Sequence, residues 1–326
     1  METILNAGLH WNVFFQNLGT WLKTPMEIFS FFGTEYFFLF LLPALYWCLD
    51  AATGIRVGII LLLSTSLNDA LKIAFHGPRP YWVSTEVIDF ARETSFGSPS
   101  GHAQISVGVW GMLAACLNKW WGWLVAILMM ILIGISRLYL GVHFPHDVIL
   151  GWLIGALLLW MVLRFWEPVR TWTKKMSLGQ QVLASFLSSL VLIVISLIPF
   201  LWLKFTNWQP PQEWAQYATQ AVSLSGTITT AGTLFGLLTG LAWFNRKGGF
   251  STTGPIWKRV LRFLLGAVGI LVFYVGLDVL FGLIAPDAEA LLPYILRYIR
   301  YTLVGVWVSA GAPWLFVRFH LAGKTA

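Results

Sequence analysis

Long apolar segments alternate with short polar ones along this 326-residue chain. A helix that crosses the hydrocarbon core of a bilayer needs about 20 consecutive apolar residues, and most of the segments approach or exceed that length. The pattern therefore predicts an all-α polytopic membrane protein with about nine transmembrane helices. The predicted spans cover residues 27–49, 56–75, 102–118, 120–139, 147–166, 180–204, 217–244, 258–284 and 296–319.

The first 25 residues follow a different pattern. Apolar residues such as Ile4, Gly8, Trp11 and Leu18 recur every three or four positions, which puts them on one face of a helix. Residues 1–25 are therefore predicted to form an amphipathic helix that lies in the membrane interface and ends near its proline.

Composition agrees with a membrane protein. The chain is 57% hydrophobic and 11% charged, whereas soluble domains carry about 25% charged residues. The net charge of +7 raises the question of nucleic acid, but the basic residues stand at the ends of spans and form no nucleic-acid-binding motif. We expect no nucleic-acid partner.

The positions of Lys and Arg indicate how the chain is oriented. Most of the 21 basic residues fall on one side if the N-terminus is outside, and the cytoplasmic side is the one that carries excess positive charge. Arg297 and Arg300 run against this trend. The predicted layout has the N-terminus outside and the C-terminus in the cytoplasm, in the plasma (inner) membrane, with two polar stretches meeting on the extracytoplasmic side.

The first polar stretch holds two cations and the start of a span. Lys72 closes the second span, and Arg79 follows between two prolines; each could instead snorkel to the membrane surface or bind lipid headgroups. The sequence "SPSGHA" then places Ser100 and Gly101 at the N-terminus of the third span, where backbone N–H groups suit an oxyanion. His102 stands at the mouth of the same site, although a lone histidine there is more often a cap or interface residue.

The second stretch, "SRLYLGVHFPHDVILG", interrupts two of the most apolar segments. Asp147 follows His143 by four residues, one helical turn, so that its carboxylate can accept a hydrogen bond from one ring nitrogen and direct the other outward. Arg137 precedes them. His146 competes for the role of His143, but it adjoins the aspartate on a different helical face.

Together these residues predict a phosphate site. Lys72, Arg79 and Arg137 would surround a dianion, with His143 placed to attack phosphorus and His102 to protonate the leaving oxygen. The sequence has no carboxylate cluster for Mg²⁺ or Ca²⁺. We therefore expect no metal and no cofactor.

The same residues resemble the type 2 phosphatidic acid phosphatase (PAP2) and vanadium haloperoxidase superfamily. Its pattern of Lys, six residues, Arg-Pro, then Pro-Ser-Gly-His, then Ser-Arg, five residues, His, three residues, Asp is filled completely. The motif positions in this chain are Lys72, Arg79, Pro80, Pro99, Ser100, Gly101, His102, Ser136, Arg137, His143 and Asp147.

The resemblance implies a fold and a mechanism. It implies a PAP2-type helical bundle, which we assign to a catalytic core at residues 26–170, followed by an accessory transmembrane bundle at 171–326. It also implies a phosphohistidine on His143, oriented by Asp147, with His102 as acid, phosphate held by the three cations, Ser100 and Gly101, and no metal. Nine spans with the N-terminus outside also resemble the glucose-6-phosphatase branch.

Four functions are open at this stage. A membrane phosphatase for lipid phosphates or diphosphates, with membrane lipids as partners, leads because many interface-seeking aromatic residues accompany the motifs. A phosphatase for soluble phosphomonoesters comes second. A transporter or structural bundle, to which Asp278 in the eighth span would contribute, and a vanadate-dependent oxidase are the remaining alternatives.

A row of small residues marks the last bundle. Gly232, Gly236 and Gly240 stand four residues apart in "GTLFGLLTG", a spacing that allows close approach of two helices. Packing within the chain is the main interpretation, and a homodimer through this bundle is the alternative.

Overall fold

The computed structural model describes residues 2–285 and 291–325, and all regular secondary structure in these residues is helical. Met1, residues 286–290 and Ala326, which belong to the predicted first and third regions, lie outside the described residues. In chain order the α-helices are α1 (Glu2–Gln16), α2 (Lys23–Phe31), α3 (Glu35–Pro43), α4 (Ala51–Phe75), α5 (Pro80–Val83), α6 (Gly101–Leu117), α7 (Trp120–Tyr139), α8 (Pro145–Lys174), α9 (Leu178–Phe205), α10 (Ser225–Asn245), α11 (Ile256–Leu271), α12 (Leu277–Ile284), α13 (Leu291–Val306) and α14 (Ala312–Arg318).

Short segments of other helical types link or extend these helices. π-Helical turns at Ala44–Leu49, Val272–Gly276 and Trp307–Gly311 continue α3, α11 and α13, and 3₁₀ turns lie at Thr20–Leu22 and Ala215–Tyr217. The π turns at Val272–Gly276 and Trp307–Gly311 lead directly into α12 and α14, whereas the one at Ala44–Leu49 ends at Asp50, whose backbone is extended.

Six helices of the described chain are long and apolar enough to cross a membrane, and a bent pair, Thr20–Phe31 with Tyr36–Leu49, raises the number to seven. The six are Ala51–Val83, Trp120–Tyr139, Pro145–Lys174, Leu178–Phe205, Ser225–Asn245 and Ile256–Ile284. The protein is thus an integral membrane protein with a helical fold. The number nine and the orientation of the termini stay predictions: α6 is apolar but only 17 residues long, and the last predicted span is shared between α13, a π turn and α14.

Two predicted boundaries are wrong. The N-terminal helix ends at Gln16 because Gly19, at a φ of 116°, turns the chain before α2 begins. The seventh predicted span begins at Ser225 instead of residue 217, because the preceding residues form turns, and Ala218 and Ala221 among them are buried in a hydrophobic cluster. The interfacial position of residues 1–25 stays a prediction.

The described chain forms two compact units. The first consists of Met1–Phe38, Ser64–Arg164 and Ile195–Leu224, and the second of Leu39–Leu63, Phe165–Val194 and Ser225–Ala326. Every candidate site residue belongs to the first unit. Each unit combines separate parts of the chain, whereas the three predicted regions, 1–25, 26–170 and 171–326, are consecutive. The boundaries of those regions stay predictions.

In the first unit, α6 and α8 approach each other closely at the predicted site. The hydroxyl of Ser100 accepts a hydrogen bond from the Ala103 N–H and caps α6, as predicted, and Asn118 ends the helix in the left-handed conformation. On α8, a side chain at Gly151 or Gly155 would collide with the backbone of α6. These two glycines therefore permit the start of α8 to lie directly against the start of α6.

In the second unit, α10 packs along α13 through its row of glycines. A Cβ at Gly232 would lie 2.6 Å from the Tyr298 carbonyl oxygen, and Cβ atoms at Gly236 and Gly240 would overlap Thr302 and Ser309. The interpretation of this row as close packing within the chain is confirmed. The homodimer stays a prediction, and these glycines are already used by α13.

Candidate active site

The two cations of the first polar stretch converge on one serine. Lys72, near the end of α4, donates from Nζ to the Ser95 hydroxyl at 2.8 Å. Arg79, which is completely buried, donates from Nε to the Ser95 carbonyl at 2.8 Å and from Nη2 to the Ser95 hydroxyl at 3.1 Å and the Phe96 carbonyl at 3.1 Å. The loop between α5 and α6 therefore brings both cations to the same place.

Arg79 also reaches the second polar stretch. Its Nη1 donates to the Val142 carbonyl at 2.9 Å and lies 3.3 Å from Nε2 of His143. One guanidinium thus joins the two motifs, which are more than sixty positions apart in sequence, and places the outward ring nitrogen of His143 beside a fixed positive charge.

Arg137, in the last turn of α7, is the third cation. Its Nη1 donates to the Ser30 hydroxyl and its Nη2 to Oε1 of Glu93, both at 2.5 Å. Its side chain is only 3% exposed, whereas that of Glu93 is 32% exposed. Glu93 is therefore the more exposed partner in this ion pair. It lies outside the sequence motifs and was not predicted as a site residue.

Asp147 lies against His143 as its spacing predicts. Oδ2 of Asp147 is 3.5 Å from Nδ1 of His143 and accepts a hydrogen bond from the Phe144 N–H at 2.9 Å. The carboxylate is thereby held at the start of α8, although the 3.5 Å approach does not reach hydrogen-bond geometry. His146 is closer to the site than its helical face suggested, because its Nε2 lies 3.4 Å from Oδ1 of the same carboxylate.

The start of α6 supplies the remaining predicted residues. The Ser100 N–H donates to the Asp147 carbonyl at 3.0 Å, and a Cβ at Gly101 would lie 2.8 Å from the Asn68 side-chain oxygen. His102 interacts electrostatically with Arg137, Glu93 and the other two cations. Its Nε2 is buried and has no hydrogen-bond partner among the described residues, so this nitrogen remains available to a ligand.

Two polar residues of α1 hold the turn that presents His143. Asn12 donates from Nδ2 to the carbonyls of Leu138 and His143, and Gln16 donates from Nε2 to the carbonyl of Tyr139. Both side chains are buried. Gly141 completes this turn with a φ of 76°, at a point where a Cβ would lie 2.6 Å from a backbone oxygen.

An aromatic cover is provided by the segment between α9 and α10. Trp82, in the "RPYW" sequence, stacks on Trp214 with ring centroids 5.6 Å apart and on Tyr217 at 6.0 Å. Trp208 packs edge-on against Phe96 at 5.8 Å. Residues far from the motifs thus fix the loop that carries Arg79.

The charges of the site control two ionisable groups in its loops. Burial, reinforced by the positive charges of Arg79 and Arg137, lowers the pKa of His143 well below its ordinary value. Burial opposes ionisation of Glu93, but Arg137 and Arg79 outweigh it and hold the pKa of this carboxyl far below its usual range. At neutral pH the site therefore contains a neutral imidazole and a carboxylate among three cations.

This arrangement can bind and attack a phosphoryl group. Three positive charges in a largely buried pocket match the oxygens of a phosphate dianion, and a neutral imidazole has a free electron pair with which to attack phosphorus. Within the described residues, no group of three or more His, Cys, Asp or Glu side chains is arranged to hold a metal ion.

Two protein-family models match the chain. "PAP2 superfamily" matches residues 53–170, which include all the motif positions, and "PAP2 superfamily phosphatase, transmembrane extension" matches residues 228–324.

Individual relatives agree with these matches. Glucose-6-phosphatase 3 of Bos taurus is 27% identical over 364 residues, covering 98% of this chain and 97% of the relative. Undecaprenyl-diphosphatase of Sulfolobus acidocaldarius is 31% identical and covers 41% of this chain and 66% of the relative. Phosphatidylglycerophosphatase B of Bacillus subtilis is 29% identical, with coverage of 48% and 80%.

Proposed function

The chain belongs to the PAP2 superfamily and is a membrane phosphatase, a phosphoric monoester hydrolase, and we propose that it works through a covalent phosphohistidine on His143. The observation that supports this role is the position of the imidazole. Nε2 lies 3.3 Å from Arg79 on the side of the cations, and Nδ1 faces Asp147. The imidazole thus has a stabilising cation beside one ring nitrogen and an orienting carboxylate beside the other.

The first half of the reaction forms the intermediate. The electron pair of His143 Nε2 attacks phosphorus, the bond from phosphorus to the leaving oxygen breaks, and that oxygen takes a proton from His102, which enters this half of the reaction protonated and leaves it neutral. Arg79, Arg137 and Lys72 stabilise the charge on the other phosphoryl oxygens. Asp147 stabilises the positive charge that develops on the imidazole.

The second half returns the protein to its starting state. Neutral His102 accepts a proton from water, the water oxygen attacks phosphorus, and the bond from phosphorus to Nε2 breaks. The electron pair returns to His143, and inorganic phosphate leaves. No step in this scheme requires a metal, so EDTA is expected to leave turnover unchanged, whereas orthovanadate, which adopts the geometry of the transition state, should inhibit.

The substrate that we propose is a soluble phosphomonoester with a hydroxylated leaving group. Glucose-6-phosphatase 3 aligns with nearly all of this chain, whereas the two relatives named for lipid substrates align with less than half of it. The partly exposed side chains at the site, Glu93, Ser95 and His102, can exchange hydrogen bonds with hydroxyl groups.

A lipid phosphate or diphosphate is the second candidate, and the aromatic residues near α1 favour it. Trp11 and Trp21 are exposed, and tryptophan concentrates where membrane and water meet. Because α1 also holds the His143 turn, a substrate could reach the site from the membrane surface.

A phosphate-release panel on protein in nanodiscs separates these candidates. Glucose 6-phosphate and other soluble monoesters are expected to be hydrolysed with higher kcat/KM than isoprenoid, glycerolipid or sphingolipid phosphates. The reverse order would support the lipid candidate. His143→Ala should abolish phosphate release in either case, and a variant that keeps its turnover would contradict the proposed intermediate and favour a transporter or structural bundle.

The site is proposed to open on the extracytoplasmic side of the plasma membrane, with the N-terminus outside. Right-side-out vesicles should then hydrolyse an impermeant phosphomonoester without detergent. Inverted vesicles should need detergent, and the opposite result would reverse the orientation.

A further inference from the structure

One short segment of the chain contacts all three cations of the site. Ser95 accepts hydrogen bonds from Lys72 and Arg79, and the Glu93 carboxylate accepts one from Arg137. The cations that would bind phosphate are therefore already paired within the chain, and the partner of Arg137 is itself an anion.

The Glu93 carboxylate lies among the positive charges of the site. It interacts electrostatically with Arg137, Arg79, His102 and Lys72. Asp147, the acid beside His143, accepts a hydrogen bond from the Phe144 N–H.

A phosphate dianion at the proposed site would also bind the Arg137 guanidinium. Arg137 donates from Nη1 to Ser30 and from Nη2 to Glu93, and its buried Nε has no hydrogen-bond partner among the described residues. A phosphate bound through Nε and Nη2 would therefore share the Nη2 that the carboxylate uses. A guanidinium binds phosphate through parallel N–H groups. Two anions within a few ångströms of each other in a largely buried site repel strongly, so phosphate and the Glu93 carboxylate cannot both use Arg137 at full strength.

We propose that Glu93 is a built-in competitor for the phosphate position: a substrate displaces it from Arg137, and on its return it competes with the bound product phosphate. This inference rests on the proposed function, because it concerns the same phosphate site. Displacement needs only a rotation of the Glu93 side chain, which is 32% exposed and therefore has room to move toward solvent.

The competition also determines which anions bind. A doubly charged phosphomonoester offers the three cations more charge than the single charge of the carboxylate, and it therefore replaces Glu93 with a net gain. A singly charged phosphodiester offers no such gain. Glu93 thus makes the site selective for monoesters and lowers its affinity for inorganic phosphate, since each bound phosphate must overcome the internal carboxylate.

The test compares Glu93→Gln with the wild type in the binding of inorganic phosphate and orthovanadate. Glutamine keeps the shape of the side chain and removes its charge. The variant is expected to bind both anions about tenfold more tightly, a change of about 1.4 kcal/mol, measured by titration calorimetry and as inhibition constants. Glu86→Gln, at an exposed position of the same loop, is the matched control and should bind as the wild type does.

A second variant separates competition from a supporting role. Glu93→Ala removes both the charge and the hydrogen bond, and it should also bind phosphate more tightly than the wild type if Glu93 competes. If Glu93 instead holds Arg137 in position, both variants will bind phosphate more weakly, and that result overturns the inference while leaving the proposed function intact. Failure of phosphate and vanadate to bind to the wild type would overturn both.

Discussion

Asn12 of α1 donates a hydrogen bond from Nδ2 to the backbone carbonyl of His143 at 3.0 Å. The same amide group donates to the Leu138 carbonyl at 2.8 Å, and Asn12 is completely buried. The N-terminal helix therefore fixes the backbone on both sides of the turn that carries His143, the proposed nucleophile, in addition to any contact that it makes with the membrane.

Replacing Asn12 by alanine should lower both stability and turnover. Two buried carbonyls would lose their partner, at a cost of about 1–3 kcal/mol for each unsatisfied group, and His143 would be free to shift relative to Arg79. Thermal unfolding in detergent and kcat measure the two effects. Asn6→Ala, on the exposed side of the same helix, is the control, and equal behaviour of the two variants would contradict the role of Asn12.

A pair of variants can separate the roles of Asp147 and His146, which lie near the start of α8. Asp147→Asn keeps an oxygen that can accept from the Phe144 N–H, but it removes the charge that stabilises the imidazolium, and kcat should fall by about 10²–10⁴. His146 faces the other carboxylate oxygen with a 42% exposed side chain, and His146→Ala should change kcat by less than about tenfold.

Rapid quench with acid-sensitive detection of phosphohistidine shows which step is affected. In Asp147→Asn the intermediate should form slowly, while His146→Ala should form it at nearly the wild-type rate. A large loss in His146→Ala with little loss in Asp147→Asn would exchange the two roles.

The sequence was sufficient to predict which residues the structure brings together around the proposed phosphate site, because each motif is local. Lys72 and Arg79 share one polar stretch, and His143 and Asp147 are one helical turn apart, so that spacing alone places them together. The helical fold was predictable for the same reason, since long apolar segments allow few other structures in a membrane.

The supporting residues were not predictable in this way, because their contacts depend on the tertiary fold. Asn12 and Gln16 act through backbone carbonyls more than a hundred positions away, and only their four-residue spacing in α1 hinted at a shared face. Glu93 stands outside every motif. Electrostatics offered a hint toward Glu93. Three predicted cations close together favour a nearby anion, and the loop before "SPSGHA" contains several acidic residues.

Stability should depend on pH through His143. Burial and the neighbouring guanidiniums lower the pKa of this imidazole in the folded protein, whereas the unfolded chain takes up the proton near pH 6.5. Below pH 6.5 the unfolded state therefore binds more protons, and stability falls as pH decreases toward the folded-state pKa, with a slope of up to about 1.4 kcal/mol per pH unit.

His143→Gln isolates this contribution. The unfolding temperature of the wild type should decrease relative to that of the variant between pH 8 and pH 5, a range above the ordinary titration of Glu93. Parallel curves for the two proteins would show that the imidazole is not held neutral by the fold.

The aromatic cover should matter for catalysis although it does not contact the predicted phosphate position. Trp214 is 5% exposed and stacks on Trp82. Trp82 follows Arg79, whose guanidinium faces His143, by three residues. Trp214→Ala would leave a cavity that costs about 3–5 kcal/mol and would loosen the backbone that carries Arg79. The expected result is a lower unfolding temperature together with a lower kcat and weaker vanadate binding.

Two comparisons make this prediction specific. Trp120→Ala removes a tryptophan that is 78% exposed at the start of α7, and it should leave stability and vanadate binding within about twofold of the wild type. Trp214→Phe retains an aromatic ring for stacking and should recover most of the lost vanadate affinity. If Trp214→Ala lowers only the unfolding temperature, with kcat and vanadate binding unchanged at a temperature where the protein is folded, the cover stabilises the first unit without positioning Arg79.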